Sequence, residues 1–238
     1  MTPPTRIVLS ELLDELDPND PRARRSRRDL RRVHRAMGSL SILQEAIAQL
    51  RLAAPPTRIL ELGAGDASLL LRLARAQPKW RGVALTVLDR HDLISAETRD
   101  AYDQLGFELT VLRADACEWA MEEHSQHYDL CVTTLFLHHF DAEPLGAIMA
   151  AIAAHSDAFV ACEPRRNTFA WLGSRLIGVL GANAVTRGDA VKSVEAGFAD
   201  QELSAHWPNS RTDWWCHEYA APPFTHCFTA VRRSLRGE

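Results

Sequence analysis

What the chain has little of narrows the field first. Only Lys79 and Lys192 are lysine among its 27 basic residues, so its wealth of arginine reflects coding preference as much as a demand for guanidinium chemistry. The five cysteines (Cys117, Cys131, Cys162, Cys216, Cys227) form no Cys-x-x-Cys pair. An odd number without that spacing supports neither a disulfide framework nor a zinc ribbon, and it suits a reducing compartment. Residues 1–20 are acidic where a transit peptide is poor in acid, and they lack the apolar run of a secretory signal. The expected location is cytoplasmic. The most membrane-like stretch, residues 169–185, is interrupted by Arg175 and Asn183 and falls short of the ~20 apolar residues that span a bilayer. It reads as a lid or packing helix, and no membrane span is expected.

What is present describes an ordinary globular chain. Its 238 residues are 46% hydrophobic and 24% charged, enough for one large domain, or for a domain with an appendage. The formal charge of −4 argues against a generic polyanion binder. Charge is unevenly placed, however. Residues 22–35 hold eight arginines and one aspartate, a local +7 that leaves −11 on the remainder. Either this stretch is a solvated helix face or it meets something acidic.

Apolar spacing predicts helices over residues 7–16, through the arginine stretch with Gly38 as its end, and from Ser39 or Ser41 to the Pro55-Pro56 break. The period then changes. Strands are expected at 58–62, 84–88, 108–112, 128–134 and 158–162, separated by helices at about 69–74, 96–105, 117–123 and 143–155. Five strands alternating with helices predict a parallel doubly wound α/β sheet. Beyond Pro164 the pattern gives one apolar helix over 169–185, a polar turn at 186–189, a short helix near 200–203 and two late strands, one within 204–219 and one at 224–231.

The most informative segment is the turn after the first strand, Glu61-Leu62-Gly63-Ala64-Gly65-Asp66. Glycines there let backbone approach a nucleotide-like ligand without a Cβ in the way. A dinucleotide fingerprint would need glycine at Ser68, where a diphosphate presses on the helix start. Glu61 would repel a phosphate but suits an ammonium or sulfonium. Asp89 ends the second strand, where its carboxylate can accept from both ribose hydroxyls. Asp115 follows the third, positioned for an adenine amino group. Three acids at three strand ends make one crevice; the competing reading is that Asp89 and Asp115 merely cap helices.

With LELGAGD, VLD, RADA and DLCVTTLFLHHF in that order, the chain resembles the class I S-adenosylmethionine-dependent methyltransferases over about residues 57–164. The resemblance implies a Rossmann-like seven-stranded sheet whose last strand is antiparallel, with N-terminal helices over residues 1–56 as a cover. The methyltransferase core would then run over 57–238, with a substrate-shaping insert at about 165–198. It implies S-adenosyl-L-methionine as cofactor, held by Glu61, Gly63, Ala64 and Gly65 on the methionine side, Asp89 and Arg90 at the ribose, Asp115 and Ala116 at the adenine, and Thr134 and Leu135 beneath the donor. Ala67 stands where the family often has glycine.

Methyl transfer mainly requires aligning an acceptor lone pair with the carbon–sulfur bond. His138 and His139 follow the fourth strand, nearest the transferable methyl, and either could serve as base; one of them could equally be structural. Arg165 or Arg166 could bind an acidic substrate group, while Phe169, Trp171 and Leu172 could form an apolar wall. His124 and His127, with the Cys216-His217 and His226-Cys227 pairs, fix no metal set by spacing, so no metal is expected. The favoured acceptor is a small molecule methylated on oxygen, aromatic or polyketide-like, by an enzyme acting alone or as a homodimer. The alternatives are an RNA or protein acceptor approached through the arginine helix, which lacks the aromatic residues that stack on bases, and a non-catalytic cofactor-binding protein.

Overall fold

The computed structural model describes residues 5–208 and 213–237; the first four residues of the expected cover lie outside the described residues. Seven strands form one sheet: β1 (Arg58–Leu62), β2 (Ala84–Asp89), β3 (Glu108–Arg113), β4 (Leu130–Thr134), β5 (Ala158–Pro164), β6 (Trp214–Ala221) and β7 (Thr225–Arg232). Their order is β3-β2-β1-β4-β5-β7-β6. The neighbours among β1–β5 pair parallel, whereas β7 runs antiparallel to both β5 and β6. This is the Rossmann-like sheet anticipated above. Strand order reverses between β1 and β4, and a crevice opens beyond the carboxyl ends of the strands at that switch point.

The helices are α1 (Leu12–Glu15), α2 (Pro21–Ala36), α3 (Ser39–Leu50), α4 (Ser68–Ala76), α5 (Ala96–Gln104), α6 (Ala116–Met121), α7 (Ala142–His155), α8 (Thr168–Leu176), α9 (Ala184–Ala196) and α10 (Glu202–His206). Successive strand residues point to opposite layers. Ile59 and Val160 join Leu43, Leu50 and Leu70 under α3 and α4, while Leu60 and Phe159 join Ile148, Ile152 and Leu203 under α7 and α10. Because both faces are covered, the central strands read as continuous apolar runs rather than alternating ones.

The structure departs from the sequence expectations in three places. Residues 7–16 are helical only at Leu12–Glu15; residues 5–11 form an extended strap. The Ile7 N–H donates to the Glu195 carbonyl at 3.1 Å, and the Leu12 and Leu13 N–H groups donate to the Asp189 carboxylate at 2.8 and 2.9 Å. Partners on α9 thus satisfy backbone groups that a longer helix would have paired internally. Second, residues 169–185 are not one helix. α8 gives way to a tight 3-10 turn, Ile177–Leu180, then left-handed Gly181, and Asn183 starts α9 by accepting the Thr186 N–H at 2.9 Å. Residues 186–189 therefore lie inside α9. Their polarity mimics a turn because Thr186 bonds Ser26 at 2.8 Å and Asp189 bonds the start of α1. Third, α3 packs into the sheet core, so the cover over the crevice is the strap with α1 and α2. Among the described residues no helix is long and apolar enough to cross a membrane.

Phe159 is fully buried and stacks on Trp207, with ring centroids 5.4 Å apart. Replacing it by alanine is expected to destabilise the fold by about 3–5 kcal/mol, read as a lower urea midpoint with an unchanged m-value.

Candidate active site

Beyond the carboxyl ends of β1, β2 and β4 lies a chamber of about 1050 Å³, roofed by the strap, α2, α8 and α9. The twelve residues expected to hold the cofactor or act in catalysis all line it: Glu61, Gly63, Ala64, Gly65, Asp89, Arg90, Asp115, Ala116, Thr134, Leu135, His138 and His139.

The floor is built by backbone. Gly63 adopts φ +68°, and a Cβ there would lie 2.1 Å from Phe136 Cδ2, so only glycine fits. Its N–H donates to the Leu88 carbonyl at 2.9 Å, tying the turn to β2. Asp89 accepts the Gly65 N–H at 2.9 Å and the His91 N–H at 3.0 Å, one on each oxygen, which fixes the carboxylate at the crevice. Asp115 does cap a helix: it accepts the Cys117 N–H at 2.7 Å at the start of α6 while still lining the chamber. Glu61 differs from both. It is 3% exposed, and its Oε2 has no hydrogen-bond partner. Burial, then the nearby charges of Asp66 and Asp89, pushes its carboxyl up to about 8. A buried, unpartnered carboxyl facing a chamber is a seat for a cation.

The histidine turn is held from below by Glu163, which is fully buried at the end of β5. This carboxylate accepts the Phe136 and Leu137 N–H groups, each at 3.0 Å, and pairs with His138 Nδ1 at 2.8 Å. His138 Nε2 stands 3.4 Å from Glu11 of the strap. Burial opposes charge on His138, but the hydrogen bonds and charges of Glu11 and Glu163 outweigh it and raise the imidazole to about 9. His138 is therefore a cation near neutral pH. Both of its ring nitrogens face carboxylates, which favours His139 over His138 as the expected base. His139 goes the other way: burial, then the charge of His138, lowers it. Its Nδ1 stands 3.3 Å from Asp14 of α1. The ligating atoms of Glu11, His138 and His139 lie within 4.8 Å of one another. A protonated His138 between Glu163 and Glu11 already supplies a positive charge there, and a metal would have to displace its protons.

Other expectations are redirected. Arg166 is 3% exposed, bonded to Glu202 and to the Gly197 carbonyl, and neither it nor Arg165 lines the chamber. Phe169 and Leu172 are 63% and 52% exposed; Ala170, Gly173 and Ile177 face the chamber instead. The helical faces fall that way because α8 is short and set by its Asn167 cap. His124 Nε2 bonds the Trp119 carbonyl at 2.6 Å and His127 pairs with Asp157 at 2.8 Å. The spacing of residues gave no signal for Glu11, Asp14 or Glu163, nor for Asp66, whose carboxylate holds Arg31 of α2 at 2.7 Å. His34, also facing the chamber, was missed as well; burial takes it down to about 4.

Comparison with known proteins accords with this geometry. The plantazolicin methyltransferase BamL, solved with a triazolic desmethylPZN analog and SAH, is 15% identical; the match covers 90% of this chain and 92% of that one, with a TM-score of 0.64. An O-methyltransferase family protein from Burkholderia thailandensis is 15% identical over 90% of this chain and 60% of that one, with a TM-score of 0.56. The magnesium protoporphyrin IX methyltransferase ChlM from Synechocystis PCC 6803, with bound SAM, is 12% identical over 93% and 88%, with a TM-score of 0.50. At these identities the likeness is one of fold. No curated protein sequence matches the chain. Residues 59–157, from β1 through α7, match the family model described as a methyltransferase domain, and the sheet that contains this segment has the fold of the solved methyltransferases.

The Glu61 shift makes a prediction about pH. A carboxyl with a folded-state pKa raised to about 8 favours the fold while protonated, and that contribution is lost as pH rises from the ordinary carboxylate range through 8. Against Glu61→Gln, which removes this titration alone, the ligand-free parent should lose relative stability as pH rises from about 5 through 8. Denaturant titrations of both proteins at several pH values measure the difference.

Proposed function

We propose that the chamber holds S-adenosyl-L-methionine along its floor and that the enzyme transfers a methyl group to an oxygen of a small, apolar, aromatic or polyketide-like acceptor beneath the roof. The observation that carries the donor assignment is Glu61, whose unpartnered buried carboxyl awaits a positive group beside a turn that only glycine can make. Asp89 would take the ribose hydroxyls, with Arg90 beside it; Asp115 and Ala116 would take the adenine; Ala64, Thr134 and Leu135 would shape the bed. The bound donor supplies a methyl group on a sulfonium, an electrophile already activated.

The chain's residues do the rest. Leu30 and Val33 of α2 and Met37 just after it, with Ala170 and Ile177, give the roof an apolar lining suited to a flat hydrophobic acceptor. His139, lowered below its ordinary value and backed by Asp14, is neutral near pH 7 and would accept the acceptor's hydroxyl proton as its oxygen attacks. His138 is a positioning residue: pinned between Glu163 and Glu11, it fixes the turn that carries His139. Among the structural neighbours, one was solved with a triazolic desmethylPZN analog and one is a magnesium protoporphyrin IX methyltransferase. Both names agree with an unsaturated acceptor. The proposal includes a cover made by the strap, α1 and α2 over a core that takes in α3, a cytoplasmic setting, and activity without a metal.

S-adenosylhomocysteine should raise the melting temperature, and Asp89→Ala should weaken its binding by about 1–3 kcal/mol in calorimetry, the cost of unpaired ribose hydrogen bonds. With labelled donor and a panel of phenols, His139→Ala should lower kcat by roughly a hundredfold and leave donor affinity intact. Stabilisation by a phosphate-bearing nucleotide in place of S-adenosylhomocysteine would overturn the donor assignment; labelling of RNA but of no phenol would overturn the acceptor class.

A further inference from the structure

Two features remain without a role: the arginines of α2 and the outward residues of α8. Five of the eleven exposed large hydrophobic side chains among the described residues are Phe169, Leu172, Leu176, Val179 and Leu180, with Val179 86% exposed. They recur along α8 and the 3-10 turn on the side turned away from the core. Leu176, Val179 and Leu180 also line the chamber, so they form part of its mouth. A protein does not ordinarily leave so many apolar side chains together in water unless something covers them.

Charge says what covers them. The 3-10 turn abuts α2, where Arg25, Arg28, Arg32 and Arg35 are all exposed and recur every three or four residues on one face. Arg32, ion-paired with Asp29, reaches Gly181 at the end of the turn, Arg187 lies against Gly178, and Arg175 sits over the Trp171 ring at 4.2 Å. The apolar lip is thus rimmed by guanidinium groups. A second copy pairing through this face would bring like charges together, and the remaining exposed arginines have no interleaved aromatics on α2 for stacking on bases. Apolar side chains that insert, with arginines at headgroup level, match an anionic bilayer.

We propose that the lip of α8 and the arginine face of α2 dock the enzyme on an anionic membrane surface, with the chamber mouth against the lipid. A lipophilic acceptor would then reach the roof from the bilayer; this route, unlike the docking, rests on the acceptor assignment made above.

The test is co-sedimentation of the full chain with vesicles of phosphatidylcholine alone or with phosphatidylglycerol added. Binding is expected only to the anionic vesicles and should be lost in about 1 M salt, where the screening length falls to about 3 Å. Removing Arg25 and Arg28 as serines should weaken partitioning roughly fivefold per charge. Phe169→Glu with Leu172→Glu, both outside the chamber, should abolish it while the thermal shift with S-adenosylhomocysteine stays as in the parent, which reports an intact fold and donor site. Sedimentation with neither vesicle, or equal sedimentation of parent and variants, would overturn the proposal. So would a dimer in light scattering that the double glutamate variant disperses, or retention on single-stranded RNA without vesicle binding. Methylation of soluble phenols reads the acceptor assignment separately, so the two can fail independently.

Discussion

The chamber depends on a single buried carboxylate. Glu163 ends β5 with no exposure, and it gathers the backbone N–H groups of Phe136 and Leu137 together with His138 Nδ1. That grip sets the path of the chain after β4. It presses Phe136 against Gly63, which is why the floor turn tolerates no Cβ. It also leaves His138 positively charged and aimed at Glu11, so the strap closes over the chamber by charge as well as by its bonds to α9. Arg6 completes the closure by donating to the His138 and Phe140 carbonyls at 3.1 and 2.9 Å. Floor, histidine turn and roof are thus consequences of one anion at one strand end.

The same chamber contains two opposite electrostatic solutions. Around His138 opposite charges stand at 2.8 Å (Glu163) and 3.4 Å (Glu11), and truncating one partner would leave the others uncompensated in a low dielectric. At Glu61 nothing answers the carboxyl, which keeps its proton near neutral pH instead. Structural sites are built like the first and ligand sites like the second, because an internal partner would compete with the incoming cation. In the proposed reading this contrast separates holding the fold from holding the donor more sharply than exposure does, since Glu61 and His138 are almost equally buried.

Much of this was legible in the residues. Runs such as RILEL and ALTVLD declare buried parallel strands, and the acids that end or follow them fall at the crevice because the sheet is parallel. Asp115 shows the limit of that logic: it lines the crevice and caps α6, so the functional and structural readings were never exclusive. The partners of the histidines were illegible for a different reason. Glu11 and His138 are 127 positions apart, and nothing local in a strap of mixed polarity announces which distant element will satisfy it. The segment after β5 misled by composition. Gly181 breaks an apolar run that periodicity alone would continue, and buried Thr186 and Asp189 look like a turn until their partners on α2 and at the start of α1 are seen.

The charge asymmetry of the chain now has a spatial meaning. On α2 the chamber side carries Ser26, Leu30 and Val33, and the arginines nearest to it are occupied internally, Arg31 by Asp66 and Arg27 by the Pro18 carbonyl. Those interactions clamp the helix over the floor and consume part of the local +7. Arg24, Arg25, Arg28 and Arg35 remain turned to solvent beside an apolar lip that is equally unsatisfied. Had the arginines served only solubility, they would be better dispersed, since self-repulsion along one face costs stability. Their concentration next to Leu176 and Val179, at the opening of a chamber lined by apolar side chains, makes the roof helix do two things at once: its inner face seals the reaction from water, and its outer face orients the opening toward an anionic surface.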